Sequence, residues 1–167
     1  MKIILCGFMG CGKTSVGWRL AKRIKCPFVD MDKYIEEKEG MSVSEIFRVK
    51  GEAAFRLCEA AAAKELMKLE RVVIASGGGT VLNPANVEAF HAGGGVILLL
   101  EVPVAAIQER LKNDKRRPLL QRPDRRAFIA KLYAERYPKY LKAADFTVHA
   151  GKPAVIVARD IAKRFNT

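Results

Sequence analysis

The chain has 167 residues, half of them hydrophobic, which predicts a single domain, residues 1–167, with a substantial core. Its formal net charge is +12, because 30 Lys and Arg residues outnumber 18 Asp and Glu residues. No apolar run approaches the length of a membrane span, and no charged-then-apolar leader precedes the first strand. We therefore expect a cytoplasmic protein without a membrane partner. The four cysteines lack a CxxC pair and the spacing of zinc ligands, which argues against a disulfide framework or a zinc site.

The first predicted elements are a strand, a glycine-rich loop and a helix. Residues 2–6 form a short apolar run, residues 7–14 match the motif G-x-x-x-x-G-K-[ST], and apolar side chains recur at helical spacing over residues 14–25. In this arrangement the loop N–H groups and the helix N-terminus bind phosphate. We expect Lys13 to reach the β- and γ-phosphates of a nucleotide and the Thr14 hydroxyl to bind Mg²⁺. The expected phosphate-binding residues are Gly10, Cys11, Gly12, Lys13, Thr14 and Ser15.

A second predicted strand, residues 26–29, runs into the sequence Asp30-Met31-Asp32. In an extended segment both carboxylates leave the same side, so they can divide the work at one site. We expect Asp30 to hold Mg²⁺ through water and Asp32 to accept a hydrogen bond from a substrate hydroxyl. The alternative is that these aspartates only cap the next helix.

Three predicted helices follow, over residues 33–39, from the capping residue Ser42 onward, and over residues 52–69. Arg56 and Glu59 are three residues apart on the third helix and therefore share a face. We expect Glu59 to hold the Arg56 guanidinium for bidentate binding of a carboxylate. A surface ion pair is the alternative.

A third apolar strand, residues 72–75, precedes Ser76 and three consecutive glycines. We expect Gly77, Gly78 and Gly79 to let a substrate or a phosphate approach the backbone N–H groups closely. The remaining predicted strands are residues 95–100 and 146–149, and the remaining helices begin at residues 83, 103, 124 and 153. In the helix that begins at residue 124, Pro138 is expected to perturb or end the first part near Tyr137.

Basic residues are concentrated between residues 110 and 126. They are Arg110, Lys112, Lys115, Arg116, Arg117, Arg122, Arg125 and Arg126, against Asp114 and Asp124. No aromatic residue interrupts this stretch, so it lacks the stacking platform of a protein that binds single-stranded nucleic acid. We interpret residues 112–123 as a lid over the phosphates; a solvated basic loop is the alternative.

Apolar strands that alternate with helices predict an α/β fold with helices on both faces of a parallel sheet, and ligands in such sheets bind beyond the carboxyl ends of the strands. No strand ends in the Asp-Glu pair of an ATP-driven motor, and no Asn-Lys-x-Asp sequence is present to bind guanine. A kinase whose phosphate acceptor is a compact carboxylate is the favoured interpretation. A gluconate kinase or a nucleoside-monophosphate kinase on the same scaffold is the alternative. A non-catalytic nucleotide-binding module remains as an alternative of another class.

The combination of motifs resembles the shikimate kinase family. The resemblance spans almost the whole chain and rests on Gly7–Thr14, Asp30–Asp32, Phe55-Arg56 with Glu59, Ser76–Gly79, Arg117–Leu120, and Arg136 with Tyr140. It implies a three-layer α/β/α fold with a five-stranded parallel sheet, of the nucleoside-monophosphate-kinase group. It also implies Mg²⁺-dependent transfer of the ATP γ-phosphate to the 3-hydroxyl of shikimate, in aromatic amino-acid biosynthesis. ATP and shikimate are the expected partners of a monomer, and nucleic acid is not.

The resemblance also assigns roles to individual residues. The shikimate-binding set would be Asp32, Arg56, Glu59, Gly77, Gly78, Gly79 and Arg136, with the two arginines on the carboxylate. Arg117 would reach from the lid to the transferred phosphate, and Arg110, Lys152 and Pro153 would face the adenine. The catalytic residues would be Lys13, Asp32 and Arg117, and the substrate-binding insertion would cover residues 31–62. Ser76 stands where some relatives carry Asp, and Thr14 where many carry Ser.

Overall fold

The computed structural model describes residues 1–165 and contains a five-stranded parallel sheet with the strand order β2-β3-β1-β4-β5. The strands are β1 (Lys2–Cys6), β2 (Phe28–Asp30), β3 (Val72–Ala75), β4 (Gly95–Glu101) and β5 (Phe146–His149). Ile4 of the central strand β1 is paired with Ile74 of β3 and with Ile97 of β4, and all three side chains are fully buried. Burial on both faces explains why the central strands are continuous apolar runs.

Eight α-helices cover the sheet within residues 1–165. They are α1 (Lys13–Ile24), α2 (Met31–Glu39), α3 (Val43–Lys50), α4 (Glu52–Leu66), α5 (Pro84–Ala92), α6 (Val104–Leu111), α7 (Arg125–Ala143) and α8 (Ala154–Arg164). Two short 3₁₀ helices lie at Thr80–Leu82 and Pro118–Leu120. The predicted α/β fold with five parallel strands is thereby confirmed.

The predicted helix signals operate through hydrogen bonds at the helix ends. The Ser42 hydroxyl accepts a hydrogen bond from the N–H of Glu45 at 3.1 Å, as a capping box requires. Gly40 ends α2 with φ = +67°. None of the helices in the described part of the chain has the length and hydropathy needed to cross a membrane.

Two expectations about local structure were wrong. Helix α7 continues through Pro138 to Ala143 instead of ending near Tyr137. The tyrosines on either side of the proline both donate hydrogen bonds to residues at strand ends. Tyr137 donates to the Glu101 carboxylate at the end of β4, and Tyr140 donates to the Gly78 carbonyl after β3. These contacts hold the helix together where a proline weakens it.

The second correction concerns the Asp30-Met31-Asp32 segment, which is not extended throughout. Asp30 is the last residue of β2 and the N-cap of α2, whereas Asp32 lies in the first turn of that helix. The helix begins at Met31 because the Asp30 side chain accepts a hydrogen bond from the N–H of Lys33. The two carboxylates therefore point to different neighbours.

Candidate active site

The phosphate-binding loop joins β1 to α1 at the carboxyl end of the sheet. Gly10 and Gly12 have φ angles of +77° and +96°, which side-chain-bearing residues rarely adopt, so the loop needs glycine there. The Lys13 ammonium donates hydrogen bonds to the carbonyl oxygens of Gly7 at 2.7 Å and Phe8 at 3.2 Å. It therefore lies against the loop that its motif assigns to phosphate.

Thr14 and Asp30 lie side by side at the start of α1 and the end of β2. The Thr14 hydroxyl donates a hydrogen bond to Oδ2 of Asp30 at 2.8 Å, and Oδ1 of Asp30 accepts the bond from Lys33. Asp30 thus caps α2, as the alternative interpretation expected, and also contacts Thr14, while its role toward Mg²⁺ stays a prediction. A hydroxyl and a carboxylate are hard oxygen donors, and Mg²⁺ is commonly bound by one or two such groups together with substrate phosphates and water. The donor set fits Mg²⁺.

Ser76 offers no carboxylate at the end of β3. Its hydroxyl is buried and donates a hydrogen bond to the carbonyl of Leu5 at 3.0 Å, which joins β3 to β1. Within the described residues, no group of three or more His, Cys, Asp or Glu side chains is placed to form a metal cage. A metal at this edge would therefore rely on Thr14, Asp30 and the bound nucleotide.

The ion pair between Arg56 and Glu59 is a buried feature of α4. Nη1 of Arg56 lies 2.5 Å from Oε1 of Glu59, and the Glu59 side chain is only 1% exposed. Oε2 of Glu59 accepts a second hydrogen bond, from the Thr80 hydroxyl at 2.5 Å. The interpretation of this pair as a solvated surface contact is therefore wrong for Glu59, although one third of the Arg56 side chain remains exposed.

Neighbouring side chains closely approach two of the three glycines after β3, Gly77 and Gly79. A Cβ atom on Gly79 would lie 2.6 Å from Nη1 of Arg56, and one on Gly77 would lie 2.9 Å from Oδ1 of Asp32. A Cβ atom on Gly78 would lie 3.6 Å from Nη1 of Arg136. The triplet is therefore surrounded by side chains from α2, α4 and α7.

Asp32 has an unusual electrostatic environment. Burial raises its pKa to about 6 from the ordinary 3.8, and the negative charges of Asp30 and Glu59 act in the same direction, while Lys13 opposes them. A carboxyl group with a pKa close to neutral pH is suited to accept a proton and release it again. Asp32 also lies beside Gly77 of the glycine triplet.

Arg110 and Arg117 lie at the lid in different settings. Arg110, on α6, donates a hydrogen bond to the carbonyl of Gly10 at 2.9 Å and so contacts the phosphate-binding loop directly. The Arg117 guanidinium is paired with the Asp114 carboxylate, and the N–H of Arg117 donates to the same carboxylate at 3.0 Å. In this structure Arg117 is therefore held within the lid.

The lid has a buried attachment that the analysis of the sequence missed. Leu120 is fully buried, and Arg125 donates hydrogen bonds to the carbonyls of Leu111 and Lys112 at one end of the lid and of Leu120 at the other. The segment is therefore anchored to the rest of the fold through Leu120 and Arg125. Lys152 and Pro153 follow β5, which is the edge strand opposite to β2. The Lys152 ammonium lies 3.9 Å from the Asp160 carboxylate.

Comparison with known proteins shows which family has this arrangement. The sequence pattern of the family described as "Shikimate kinase" matches residues 9–166. The shikimate kinase of Aromatoleum aromaticum is 45% identical over 152 residues, which cover 91% of this chain and 86% of that protein. The chain belongs to the shikimate kinase family.

Solved structures agree with this assignment. Shikimate kinase from Acinetobacter baumannii in complex with shikimate superposes with a TM-score of 0.91 at 34% identity, covering 99% of this chain and 92% of that one. A gluconokinase from Sinorhizobium meliloti superposes with a TM-score of 0.54 at 17% identity, over 99% and 95% of the two chains. At that identity only the fold is shared. As a member of the shikimate kinase family the chain is a phosphotransferase, and the interpretation as a non-catalytic module is discarded.

Two polar residues near the glycine triplet were absent from the sequence-based candidates. Thr80 was not considered, although a hydroxyl directly after three glycines at a strand end is a signal for it. Asn86 donates a hydrogen bond from its side chain to the Thr80 carbonyl at 2.9 Å and is also buried. A sequence-based analysis had no means to find Asn86, because polar residues at the start of a helix are common on surfaces.

Proposed function

We propose that this member of the shikimate kinase family phosphorylates the 3-hydroxyl of shikimate with ATP, as a step of aromatic amino-acid biosynthesis. The observation that carries the proposal is the convergence of Arg56, Arg136 and Asp32 on the glycine triplet next to the phosphate-binding loop. Shikimate combines a carboxylate with hydroxyl groups on a compact ring. Two guanidinium groups suit the one carboxylate, and the carboxyl group of Asp32, with its raised pKa, suits one of the hydroxyl groups.

The carboxylate of shikimate is bound by the two arginines in this proposal. Glu59 fixes the Arg56 guanidinium from behind, and one third of the Arg56 side chain stays exposed to meet a ligand. Arg136 lies against Gly78 from α7, on the other side of the triplet. Guanidinium groups bind carboxylates in a bidentate manner, which fixes the orientation of the ring as well as its position. The absence of side chains at Gly77 and Gly79 lets Asp32 and Arg56 approach the backbone of the triplet.

The nucleotide is bound at the neighbouring loop. The N–H groups of residues 10–15 surround the phosphates, Lys13 neutralises the β- and γ-phosphates, and Arg110 fixes the loop through Gly10. Lys152 and Pro153 complete the adenine side. Thr14 directly, and Asp30 through water, would hold Mg²⁺, which when bound supplies positive charge to the phosphate oxygens.

The residues of the site then position the reactants and stabilise charge. Oδ1 or Oδ2 of ionised Asp32 accepts a hydrogen bond from the 3-hydroxyl, orients the oxygen toward the γ-phosphorus and takes up its proton. Lys13 and Arg117 stabilise the negative charge on the transferred phosphoryl group, for which Arg117 exchanges Asp114 for the phosphate. Closing of residues 112–123 excludes water, which prevents ATP hydrolysis.

The setting of the reaction is part of the proposal. All four cysteines of the described chain carry free thiols, which are typical of reducing compartments, so we place the enzyme in the cytoplasm. We propose that a monomer is the active species, since Asp32, Arg56, Arg136 and the loop all belong to one chain. Residues 31–62 form the substrate-binding insertion of a single domain in this scheme.

The proposal is tested by offering three acceptors to the purified enzyme with ATP and Mg²⁺. ADP release is followed with shikimate, with gluconate and with a nucleoside monophosphate. We expect turnover with shikimate alone. Turnover with gluconate or with the nucleotide, in the absence of turnover with shikimate, would overturn the proposal.

A further inference from the structure

Glu59 is a buried carboxylate whose two oxygens have separate partners. Oε1 is paired with Nη1 of Arg56 and Oε2 accepts the hydrogen bond from the Thr80 hydroxyl, both at 2.5 Å. Burying a carboxylate is costly unless its oxygens are hydrogen-bonded. Across the described residues, each fully buried side-chain nitrogen or oxygen has a partner. The Thr80 hydroxyl is what satisfies the second oxygen of Glu59.

Thr80 is itself fixed by its backbone. It is completely buried, its N–H donates to the carbonyl of Gly77 at 3.2 Å, and its own carbonyl accepts hydrogen bonds from the Asn86 side chain at 2.9 Å and from the N–H of Asn83 at 3.4 Å. The hydroxyl therefore holds a set position relative to the glycine triplet. Its hydrogen bond to Oε2 fixes the Glu59 carboxylate in turn.

Arg56 depends on Glu59 for its orientation. Its other acidic partner, Glu52, is two-thirds exposed and lies 3.4 Å away, a geometry that contributes little in water. The Arg56 guanidinium also lies so close to Gly79 that a Cβ atom there would be 2.6 Å from Nη1. A small rotation of Glu59 would therefore move the guanidinium relative to the triplet.

We propose that Thr80 is a positioning residue for shikimate, which acts through Glu59 to aim the Arg56 guanidinium at the substrate carboxylate. This inference rests on the proposed function. Without the hydroxyl, Oε2 of Glu59 can turn to the Arg56 guanidinium, which already donates to Oε1, as a donor. Two guanidinium N–H groups would then turn toward Glu59, and fewer would remain for the substrate. Thr80 does not contact the phosphate-binding loop in this scheme, so ATP binding is independent of it.

The test compares Thr80→Val, which keeps the shape and removes the hydroxyl, with Thr80→Ser, which keeps the hydroxyl. We expect Thr80→Val to raise the KM for shikimate about 5- to 20-fold, as for a lost hydrogen bond to a charged group, with kcat and the KM for ATP within about twofold. Thr80→Ser should restore the KM for shikimate to within about twofold. An unchanged KM in Thr80→Val, or a change in kcat alone, would overturn the proposal.

Asn83→Ala is the matched control for a merely structural effect. Asn83 caps α5 through a 3.0 Å hydrogen bond to the N–H of Ala85, three residues from Thr80, and its side chain belongs to neither proposed binding set. We expect this variant to melt at a lower temperature with an unchanged KM for shikimate. If it raises that KM as much as Thr80→Val does, the effect is one of stability and the proposal fails.

A second comparison measures the Thr80→Val substitution in wild type and in the Arg56→Ala variant. Thr80→Ala replaces Thr80→Val if the valine variant does not fold. Action through Arg56 predicts that the Thr80 substitution has no further effect on the KM for shikimate once Arg56 is absent. Additive effects would overturn the proposal. Failure of the proposed function is recognised separately, because wild-type enzyme would then not turn over shikimate at all.

Discussion

The Tyr140 hydroxyl donates a hydrogen bond to the carbonyl oxygen of Gly78 at 2.6 Å, which fastens α7 to the middle of the glycine triplet. Burial raises the pKa of Tyr140 to about 12, so the phenol remains a donor at any physiological pH. Arg136 lies one helical turn before Tyr140 and beside Gly78. The contact thus determines how far α7, and with it Arg136, stands from the substrate-binding glycines.

Replacement of Tyr140 by phenylalanine tests this contact. We expect Tyr140→Phe to lose about 1–2 kcal/mol of unfolding free energy, because the Gly78 carbonyl loses its donor. The KM for shikimate should rise several-fold while the KM for ATP stays unchanged. Urea unfolding and steady-state kinetics provide the two measurements. Wild-type stability together with a wild-type KM would show that the hydrogen bond has neither role.

Lys13→Ala tests the phosphate-binding loop. Lys13 contacts only loop groups, the Gly7 and Phe8 carbonyls and the Cys11 thiol, among its hydrogen bonds in the described chain. We therefore expect a folded protein whose kcat/KM for ATP is at least about 100-fold lower, since a charge on the phosphates is removed. Circular dichroism and ADP release measure the two effects. Near-normal turnover would mean that this loop does not serve phosphoryl transfer.

The raised pKa of Asp32 predicts a pH dependence of activity. Because the ionised form must accept the hydroxyl proton, kcat/KM for shikimate should rise with pH through the pKa of about 6 and level off above about 7. The profile is measured between about pH 5 and 8. A flat profile over this range would contradict the role of Asp32 as the base.

The same pKa predicts a pH dependence of stability. Since the pKa is higher in the folded state than the ordinary 3.8, protonated Asp32 stabilises the fold at low pH, and this contribution is lost as the pH rises through about 6. The side chain of Asp32→Asn stays neutral at every pH. The unfolding free energy of the variant minus that of wild type should therefore increase by up to roughly 3 kcal/mol from pH 4 to pH 7. A difference that does not vary with pH would show that Asp32 titrates normally.

The lid prediction concerns Arg117, which Asp114 holds in this structure. We expect Arg117→Ala to lower kcat at least about 100-fold, because a positive charge on the transferred phosphate is lost. The fall in melting temperature should be modest, because Asp114 loses its ion pair but keeps the N–H donors of Arg116 and Arg117. Lys115→Ala is the matched control, since Lys115 is an exposed basic residue of the same lid and should leave kcat unchanged. Hydrogen exchange over residues 112–123 should slow when ATP and shikimate are both present. Equal exchange with and without ligands, together with full activity of Arg117→Ala, would reduce the segment to a solvated loop.

Much of the architecture could be predicted because it depends on local patterns. The three central strands, β1, β3 and β4, are mostly apolar runs, and the phosphate-binding motif indicates its own ligand. The structure also brings Asp32, Arg56, Glu59 and Arg136 together around the glycine triplet, but the sequence suggested this grouping mainly through resemblance to a family.

The features that were missed depend on contacts between distant parts of the chain. Thr80 contacts Glu59 across 21 residues, and Tyr140 contacts Gly78 across 62. Pro138 predicted a helix end because its local effect is unfavourable, yet Tyr137 and Tyr140 fasten the helix on both sides of it. No local pattern reports such pairs, so neither the contact between Thr80 and Glu59 nor the length of α7 could be obtained from the sequence.

The carboxylate pocket is the central claim, and a comparison of shikimate with its methyl ester tests it most directly. Calorimetric titration is performed on wild type, on Arg56→Ala, on Arg136→Ala and on the control Arg23→Ala, an exposed arginine of α1. Wild type and the control should bind shikimate far more tightly than the ester. Each pocket variant should lose about 2–4 kcal/mol of shikimate binding, and with it most of the preference for the free carboxylate, while ATP affinity is retained. Equal affinity of wild type for shikimate and its ester, or unchanged shikimate affinity in both pocket variants, would contradict the account.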